Sequence, residues 1–213
     1  MHDIRIIVLN FKRPSNVQKI IDTYRKIFPI SVINNNPDQP FPYLGHPIDV
    51  INNEKNFYCM ERWIRCFDYN EPYKFIIDDD LIVDPKSILN MFHRQDHAVG
   101  IYGKTCVDKA YSYEQLDDHW CVDSHVDFLV GSGILVQQKQ LDKIKAQIDK
   151  IGYPIRGDDI FISYLLKKYC GSKLFTTQAN VINLPEGNAA LNRNPNHFSM
   201  RWKVVEKFKN IGW

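Results

Sequence analysis

Apolar residues along this chain alternate between short runs rich in β-branched side chains and longer segments with helical spacing. The run at 4–9 predicts a strand, and the segment that opens at Pro14 continues at helical spacing to Phe28. Further strands are predicted at 30–33, 48–51, 75–77, 98–102, 126–130 and 134–136, and helices at 57–67, after Asp84, at 140–151, 160–169 and 200–209. This alternation predicts an α/β fold with a mainly parallel central sheet flanked by helices.

Composition and charge limit the classes of function. With 213 residues and 44% hydrophobic content, the chain is expected to form a single domain over residues 1–213. The 27 basic and 25 acidic residues are scattered, and no basic block is long enough to follow a phosphate backbone. We therefore expect no nucleic-acid partner.

The cysteines and the apolar runs bear on the cellular compartment. Five cysteines without a CxxC pair indicate reduced, mostly buried thiols rather than a disulfide framework or a thiolate metal site. The first residues include Asp3 and Arg5, and no apolar run approaches the roughly 20 residues needed to cross a bilayer. We expect a cytoplasmic protein with no membrane span, unless an anchor lies outside this sequence.

Three consecutive aspartates, Asp78, Asp79 and Asp80, follow the short apolar run at 75–77. Like charges this close repel one another, and a divalent cation is an economical way to offset the repulsion. Strand alternation predicts that Asp78 and Asp80 project to one side, where their oxygens suit Mn²⁺ or Mg²⁺, and that Asp79 points toward backbone donors. Such a metal has coordination positions left for a diphosphate. The alternative is a solvated turn in which the aspartates cap nearby amides.

Four stretches in order, VLNFKRPSNV, INNNPD, FIIDDDLIVDP and GDDIFISYLL, resemble the motifs of the GT-A glycosyltransferases, and in particular of the exostosin-like branch. The resemblance spans nearly the whole chain and extends to the N-terminal domains of multidomain glycosyltransferases from chlorella viruses. It implies a single GT-A domain whose N-terminal part binds the nucleotide and whose C-terminal part binds the acceptor. The implied reaction is metal-dependent transfer of a hexose or deoxyhexose from a UDP-sugar to a glycan hydroxyl. It further implies the host-cell cytoplasm as the location and additional domains in a longer polypeptide.

The resemblance also implies roles for individual residues. The implied nucleotide contacts are Asn10, Arg13, Asn35, Arg62, Asp78 and Asp79, and the implied metal ligands are Asp78, Asp80 and His197. For Arg13 and the asparagines the alternative is ordinary turn and helix-start chemistry, and for His197 an inert surface position. The cations suggested by position to assist the phosphates are Lys12, Arg193 and Arg201.

A carboxylate close to the acceptor is needed if the reaction inverts the anomeric configuration, because the attacking hydroxyl must lose its proton. By analogy with related enzymes, Asp158 and Asp159 are the candidates for this general base, with Asp127 as a further carboxylate near the acceptor. The alternative for the acidic pair is a helix N-cap, since an amphipathic stretch follows it. The small residues at 131–133 permit close approach of a ligand or form a plain turn. In the tail, Phe198 and Trp202 have helical spacing, which favours core packing over sugar stacking.

Other classes of protein share parts of this pattern. A non-catalytic, metal-dependent nucleotide- or glycan-binding module would retain Asp78 and Asp80 but would need no base. A sugar nucleotidyltransferase would show a glycine-rich loop after the first strand, and the loop at 10–14 contains no glycine. A haloacid-dehalogenase phosphatase would carry a threonine just after the aspartates, where Leu81 stands. The enzyme assignment is to be abandoned if Asp78 and Asp80 lie far from any cavity or are neutralised by lysine or arginine partners.

Overall fold

The computed structural model describes residues 3–42, 44–94, 97–107, 109–151, 156–185 and 195–212. The strands are β1 (Ile4–Asn10), β2 (Ile30–Asn34), β3 (Ile48–Asn52), β4 (Tyr73–Asp78), β5 (Leu81–Val83), β6 (Ala98–Gly100), β7 (Tyr102–Thr105), β8 (Asp117–Trp120), β9 (Ser124–His125), β10 (Phe128–Leu129), β11 (Ile134–Gln137), β12 (Leu174–Thr176) and β13 (Val181–Asn183). The helices are α1 (Pro14–Tyr24), α2 (Met60–Arg65), α3 (Pro85–Met91), α4 (Gln138–Ile151), α5 (Asp158–Cys170) and α6 (His197–Lys209).

The central sheet has eight strands in the order β3-β2-β1-β4-β11-β6-β12-β9. The first four strands of this order pair in parallel, and β11 runs antiparallel to both of its neighbours. Alternation along β1 sends Ile7 and Leu9 into one apolar cluster and Ile6 and Val8 into another, so the sheet is covered on both faces. The predicted α/β architecture with a mainly parallel sheet flanked by helices is confirmed.

A three-stranded sheet, β10-β7-β8, lies beside the central one, and β13 pairs with β5. The sequence predicted one strand over 98–102, but the chain passes from β6 to β7 at Ile101 and so joins two sheets. Gly100 permits this crossing, because a Cβ there would lie 2.9 Å from the Leu129 side chain. The predicted strand at 126–130 is reduced to the two residues of β10.

The predicted helices are present with shifted ends. Asp84 is the N-cap of α3, as predicted, and its side chain accepts a hydrogen bond of 3.2 Å from the Ser87 amide. Helix α1 ends at Tyr24 rather than near Phe28, and α2 begins at Met60, after the left-handed residue Tyr58. All five cysteines are free, but only Cys66 is buried, so the expectation of mostly buried thiols was wrong.

An asparagine ends each of the first three parallel strands, and the three side chains form a hydrogen-bonded row. The strand register places Asn10 opposite Asn34 and Asn34 opposite Asn52. Asn10 donates to Asn34 at 2.8 Å, and Asn34 donates to Asn52 at 2.8 Å. This asparagine row holds together the strand ends from which the functional loops leave.

No helix in the described part of the chain is long and apolar enough to cross a bilayer.

Candidate functional site

A cavity of about 500 Å³ opens at the carboxyl ends of β1, β2 and β4. This is where ligand sites form in open α/β sheets. The sequence-predicted residues that line it are Arg13, Asn35, Arg62, Asp78, Asp79, Asp80, Asp158, Asp159, His197, Phe198 and Arg201. The fold therefore brings into one space residues from six separate stretches of sequence.

The three aspartates form the turn between β4 and β5. Strand β4 ends at Asp78, so strand alternation does not extend to the other two, and all three line the cavity. Asp79 accepts from the Phe11 amide at 3.0 Å, the backbone donor predicted for it, and from Arg13 at 2.5 Å. Arg13 also reaches Asp80 at 3.1 Å. Burial raises the pKa of Asp79 to about 6, which outweighs the opposite effect of Arg13.

Arg62 joins the aspartate turn to the acidic pair. Its guanidinium is buried, donates to Asp78, and donates through Nε and Nη2 to Asp158 at 3.2 and 3.0 Å. Burial alone would lower the pKa of Arg62, but Asp158 and Asp78 raise it well above its ordinary value. Arg62 is thus a permanent cation between two carboxylates, and Gly131 makes room for it: a Cβ there would lie 2.2 Å from Nη2.

The acidic pair begins helix α5. Gly157 is the N-cap, with φ 74, so Asp158 and Asp159 are the first helical residues and the N-cap alternative was wrong for both. Asp159 Oδ2 accepts from the Gly131 amide at 2.9 Å and from Arg201 at 2.8 Å. Burial alone would raise the pKa of Asp159, but Arg201 pulls it below its ordinary value. Asp158 Oδ2 accepts from Trp63 at 2.8 Å in addition to Arg62.

The charges in the cavity do not balance. Its described lining contains five aspartates and three arginines, and no other Asp, Glu, Lys or Arg. The arginine partners foreseen as an argument against an enzyme are present: Arg62 pairs with Asp78 and Arg13 with Asp80. They do not neutralise the site, because the ionised carboxylates exceed the arginines by two. Such a surplus suits a divalent cation and, without one, repels an anionic ligand.

His197, the first residue of α6, lines the same cavity. Burial, followed by Arg201, lowers its pKa to about 4, so the imidazole is neutral near pH 7. Its Nδ1 is buried without a hydrogen-bond partner among the described residues. A neutral imidazole with a free ring nitrogen and two carboxylates fits Mn²⁺. In this conformation no three His, Cys, Asp or Glu side chains within the described ranges are close enough to hold a metal ion together.

Backbone strain also marks this region. Three described residues other than glycine have positive φ: Lys12 (φ 65), Tyr58 (φ 62) and Cys121 (φ 50). Tyr58 lines the cavity, Lys12 lies between two lining residues, and Cys121 follows the lining residue Trp120. Unfavourable backbone conformations are uncommon outside glycine and tend to occur at functional sites.

The cavity has an aromatic wall, which consists of Tyr102, Tyr113 and Trp120, together with Phe198 from α6. The sequence analysis considered only Phe198, for which it favoured core packing, and missed the other three residues. Tyr113 and Phe198 are stacked, with ring centroids 5.8 Å apart. No local pattern indicated this wall, because β8 was not predicted as a strand and its apolar content is a single tryptophan.

Four predicted residues do not line the cavity: Asp127, Asn10, Trp202 and Lys12, whose ammonium lies 5.2 Å from the centre of the Phe11 ring. Asp127 accepts from the Cys106 amide at 2.7 Å and from Lys167 at 3.2 Å, and lines a different, smaller depression. Asn10 is buried in the asparagine row and accepts from the Arg13 amide at 3.2 Å, which is turn chemistry. Trp202 lies outside the lining and packs against the core, as the helical spacing favoured. Arg193 lies outside the described residues.

Comparison with known proteins gives matches by structure only. No protein-family model matches the sequence, and no curated protein matches it. The structure is similar to that of GalNAc-T7 with UDP, GalNAc and Mn²⁺, with a TM-score of 0.62, 10% identity, and coverage of 97% of this chain and 49% of the other. It is also similar to residues 1–349 of S. aureus TarS in complex with UDP-GlcNAc, with a TM-score of 0.56, 9% identity, and coverage of 96% and 65%.

The chain spans 49% of the length of the first of these structures and 65% of the second, less than two thirds of either. At this level of identity the likeness concerns the fold alone. The fold of this chain is that of the GT-A-like nucleotide-sugar transferases.

Proposed function

We propose that this protein is a metal-dependent glycosyltransferase that moves a sugar from a UDP-sugar to a hydroxyl of a glycan. The observation that carries the proposal is the charge of the cavity. A nucleotide diphosphate is an anion, and the surplus of two carboxylates would repel it. A divalent cation removes this conflict, because it binds the carboxylates and the diphosphate at once.

The two sides of the cavity bind different substrates, the donor on one side and the acceptor on the other. The donor half, built on the carboxyl ends of β1, β2 and β4, holds the nucleotide near Arg13 and Asn35. The acceptor half, built on β7, β8 and the first residues of α5 and α6, holds the glycan. UDP and UDP-GlcNAc in the similar structures support this choice of donor.

Asp78, Asp80 and His197 would hold Mn²⁺ or Mg²⁺. When bound, the metal supplies charge stabilisation to the departing diphosphate. Asp80 also pairs with Arg13, and Arg13 pairs with Asp79 as well, so Arg13 would not become an unpaired buried cation if Asp80 held a metal instead.

The acidic pair is the source of the general base if the product is inverted, and the contacts favour Asp158. Both oxygens of Asp159 accept hydrogen bonds, from the Ile160 amide on Oδ1 and from the Gly131 amide and Arg201 on Oδ2. Among the described residues, the donors to Asp158 are Arg62 and Trp63, and both donate to Oδ2. Oδ1 can therefore accept a hydrogen bond from an acceptor hydroxyl. Arg62 and Trp63 fix the orientation of the carboxylate.

Finer assignments come from the sequence resemblance and belong to the same proposal. They are the transfer of a hexose or deoxyhexose, an exostosin-like arrangement of motifs, a chlorella-virus origin with action in the host-cell cytoplasm, and further domains in a longer polypeptide.

The test is titration calorimetry with UDP, GDP and TDP, with and without Mn²⁺, followed by assays of UDP release from UDP-sugars. We expect UDP to bind most tightly, binding to require Mn²⁺, and EDTA to abolish it. Binding of UDP that is indifferent to Mn²⁺ and EDTA would contradict the metal-dependent assignment.

Turnover separates the two alternative classes. A non-catalytic module would bind UDP-sugar with Mn²⁺ but would release no UDP with any acceptor. A sugar nucleotidyltransferase would form a UDP-sugar from UTP and a sugar 1-phosphate and release pyrophosphate.

A further inference from the structure

The aromatic wall lies on the far side of the aspartate turn from the donor half. In the central sheet, β1 and β2 are on one side of β4, and β11 and β6 are on the other. Strand β7 follows β6 directly and pairs with β8, which carries Trp120. A ligand at this wall would therefore approach the acidic pair from the side opposite the nucleotide.

One face of the β7-β8 pair has a regular arrangement of aromatic and charged side chains. Tyr102 is opposite Trp120 and Lys104 is opposite Asp118, so the four side chains share a face. The rings of Tyr102 and Trp120 meet edge to face, with centroids 5.3 Å apart and planes at 71°. Trp120 is nevertheless 41% exposed, which is uncommon for a tryptophan and leaves a ring face available to a ligand.

A network of contacts holds this face in place. The Tyr102 hydroxyl donates to Asp118, whose carboxylate also pairs with Lys104 at 2.7 Å. The Lys104 ammonium lies 4.7 Å from the centre of the Tyr113 ring. Since Lys104 is almost fully buried, the arrangement is fixed before any ligand arrives, and little ordering entropy is lost on binding.

The same network continues to the acidic pair. The Arg201 guanidinium lies 4.8 Å from the centre of the Tyr113 ring, and its Nη2 forms a salt bridge of 2.8 Å with Asp159 Oδ2. The exposed tryptophan and the carboxylates are thus parts of one packed unit. A ligand that stacks on Trp120 is held at a defined position relative to Asp158 and Asp159.

We propose that Trp120, braced by Tyr102, is the platform that binds the acceptor, and that the acceptor is a pyranoside with C–H bonds gathered on one ring face. Such a face is apolar and packs on an indole ring, while the hydroxyls at its rim suit Asp118, whose side chain is 58% exposed. This inference rests on the proposed glycosyltransferase function and adds a class of acceptor and the residue that selects it.

The test uses three probes, the methyl β-pyranosides of D-xylose, D-glucose and D-galactose, titrated by saturation-transfer NMR with and without UDP and Mn²⁺. We expect at least one probe to bind. Trp120→Ala should weaken that binding about tenfold or more, and Trp120→Phe should weaken it less. The matched control is Tyr111→Ala, which removes an aromatic ring that is 80% exposed and outside the cavity lining, and should change nothing.

UDP binding separates this inference from the proposed function. Trp120→Ala should bind UDP with Mn²⁺ as tightly as the wild type, and thermal melting should show that the variant is folded. The platform is refuted if no probe binds a protein that binds UDP and Mn²⁺, or if Trp120→Ala binds the probes as well as the wild type. Failure of UDP to bind the wild type refutes the donor assignment instead, and the titration without nucleotide still decides the platform.

Discussion

The two halves of the cavity are built differently. The donor half rests on long parallel strands that are buried on both faces and end in the asparagine row and the aspartate turn. The acceptor half rests on strands of two to four residues, whose contacts join distant parts of the chain, such as Arg201 with Asp159. The donor half thus presents mainly charge on a regular frame, and the acceptor half presents aromatic surface on an irregular one.

This difference suggests a division of labour. Diphosphate and metal chemistry is common to many nucleotide-sugar reactions and needs carboxylates at a strand end. Acceptor recognition is particular to each protein and is achieved by loops and short strands that vary without disturbing the core. Arg62 connects the two halves, because it contacts Asp78 in one and Asp158 in the other.

The largest effect on kcat/KM is expected when the metal is lost from the donor half. We expect EDTA, or Asp80→Ala with Mn²⁺ present, to lower kcat/KM by at least about a thousandfold, since a metal contributes several kcal/mol to transition-state stabilisation. UDP release reports the rate and calorimetry the loss of donor binding. Asp38→Ala, an exposed carboxylate after β2, is the control. An Asp80→Ala variant that binds UDP and Mn²⁺ normally would show that the aspartate turn has no part in donor binding.

The next effect concerns the acceptor half alone. We expect Asp158→Asn to lower kcat about a hundredfold with UDP affinity unchanged, because the base is lost while the metal site remains. Thermal melting checks the fold, since Arg62 and Trp63 both donate to this side chain. If Asp159→Asn loses the rate with its fold intact while Asp158→Asn keeps it, the base is Asp159.

A smaller effect should reach both halves through Arg62. In Gly131→Ala the new Cβ would lie 2.2 Å from Arg62 Nη2, so the guanidinium must shift from Asp78 and Asp158 together. We expect a loss of about 1–3 kcal/mol in the free energy of unfolding, measured in urea, and a parallel decline in UDP affinity and kcat. Asn90→Ala, at an exposed position of α3 outside the cavity lining, is the control. A change in UDP affinity without a change in kcat, or the reverse, would show that Arg62 does not couple the two halves.

The smallest expected effect is confined to the frame of the donor half. Asn34→Ala breaks the asparagine row and leaves polar groups of Asn10 and Asn52 without their partner. We expect the free energy of unfolding to fall by about 1–3 kcal/mol, with less effect on kcat than on stability. Asn90→Ala, at an exposed position of α3, is the control and should change stability little. Equal stability of the two variants would mean that the row does not brace the strand ends.

The parallel part of the sheet was predictable because each strand is marked by consecutive residues in the sequence. Strands β1, β2 and β4 contain runs of apolar, mostly β-branched residues, and these runs are buried on both faces of the sheet. The aspartate turn was predictable for the same reason, as a polar triplet directly after a buried strand. The roles of its carboxylates in binding metal and nucleotide stay predictions.

Several short strands, among them β8, β9 and β12, were not predicted, because two to four residues carry little periodic pattern. The position of Asp127 was also not predictable. It was expected near the acceptor, but its hydrogen bonds with the Cys106 amide and Lys167 hold it in another depression. A carboxylate's role depends on which cavity its side chain faces, and that depends on pairing across the sheet.

The sequence by itself determined the fold class and the positions of the acidic turn and the acidic pair, because hydrophobic periodicity and consecutive charges are properties of neighbouring residues. Only the tertiary structure decided which charges meet. It placed Arg62 between Asp78 and Asp158, Arg201 beside Asp159, and Trp120 on the wall facing them. These contacts join residues that are far apart in the chain, so the net charge of the cavity and the surface available to an acceptor follow from packing and not from local sequence.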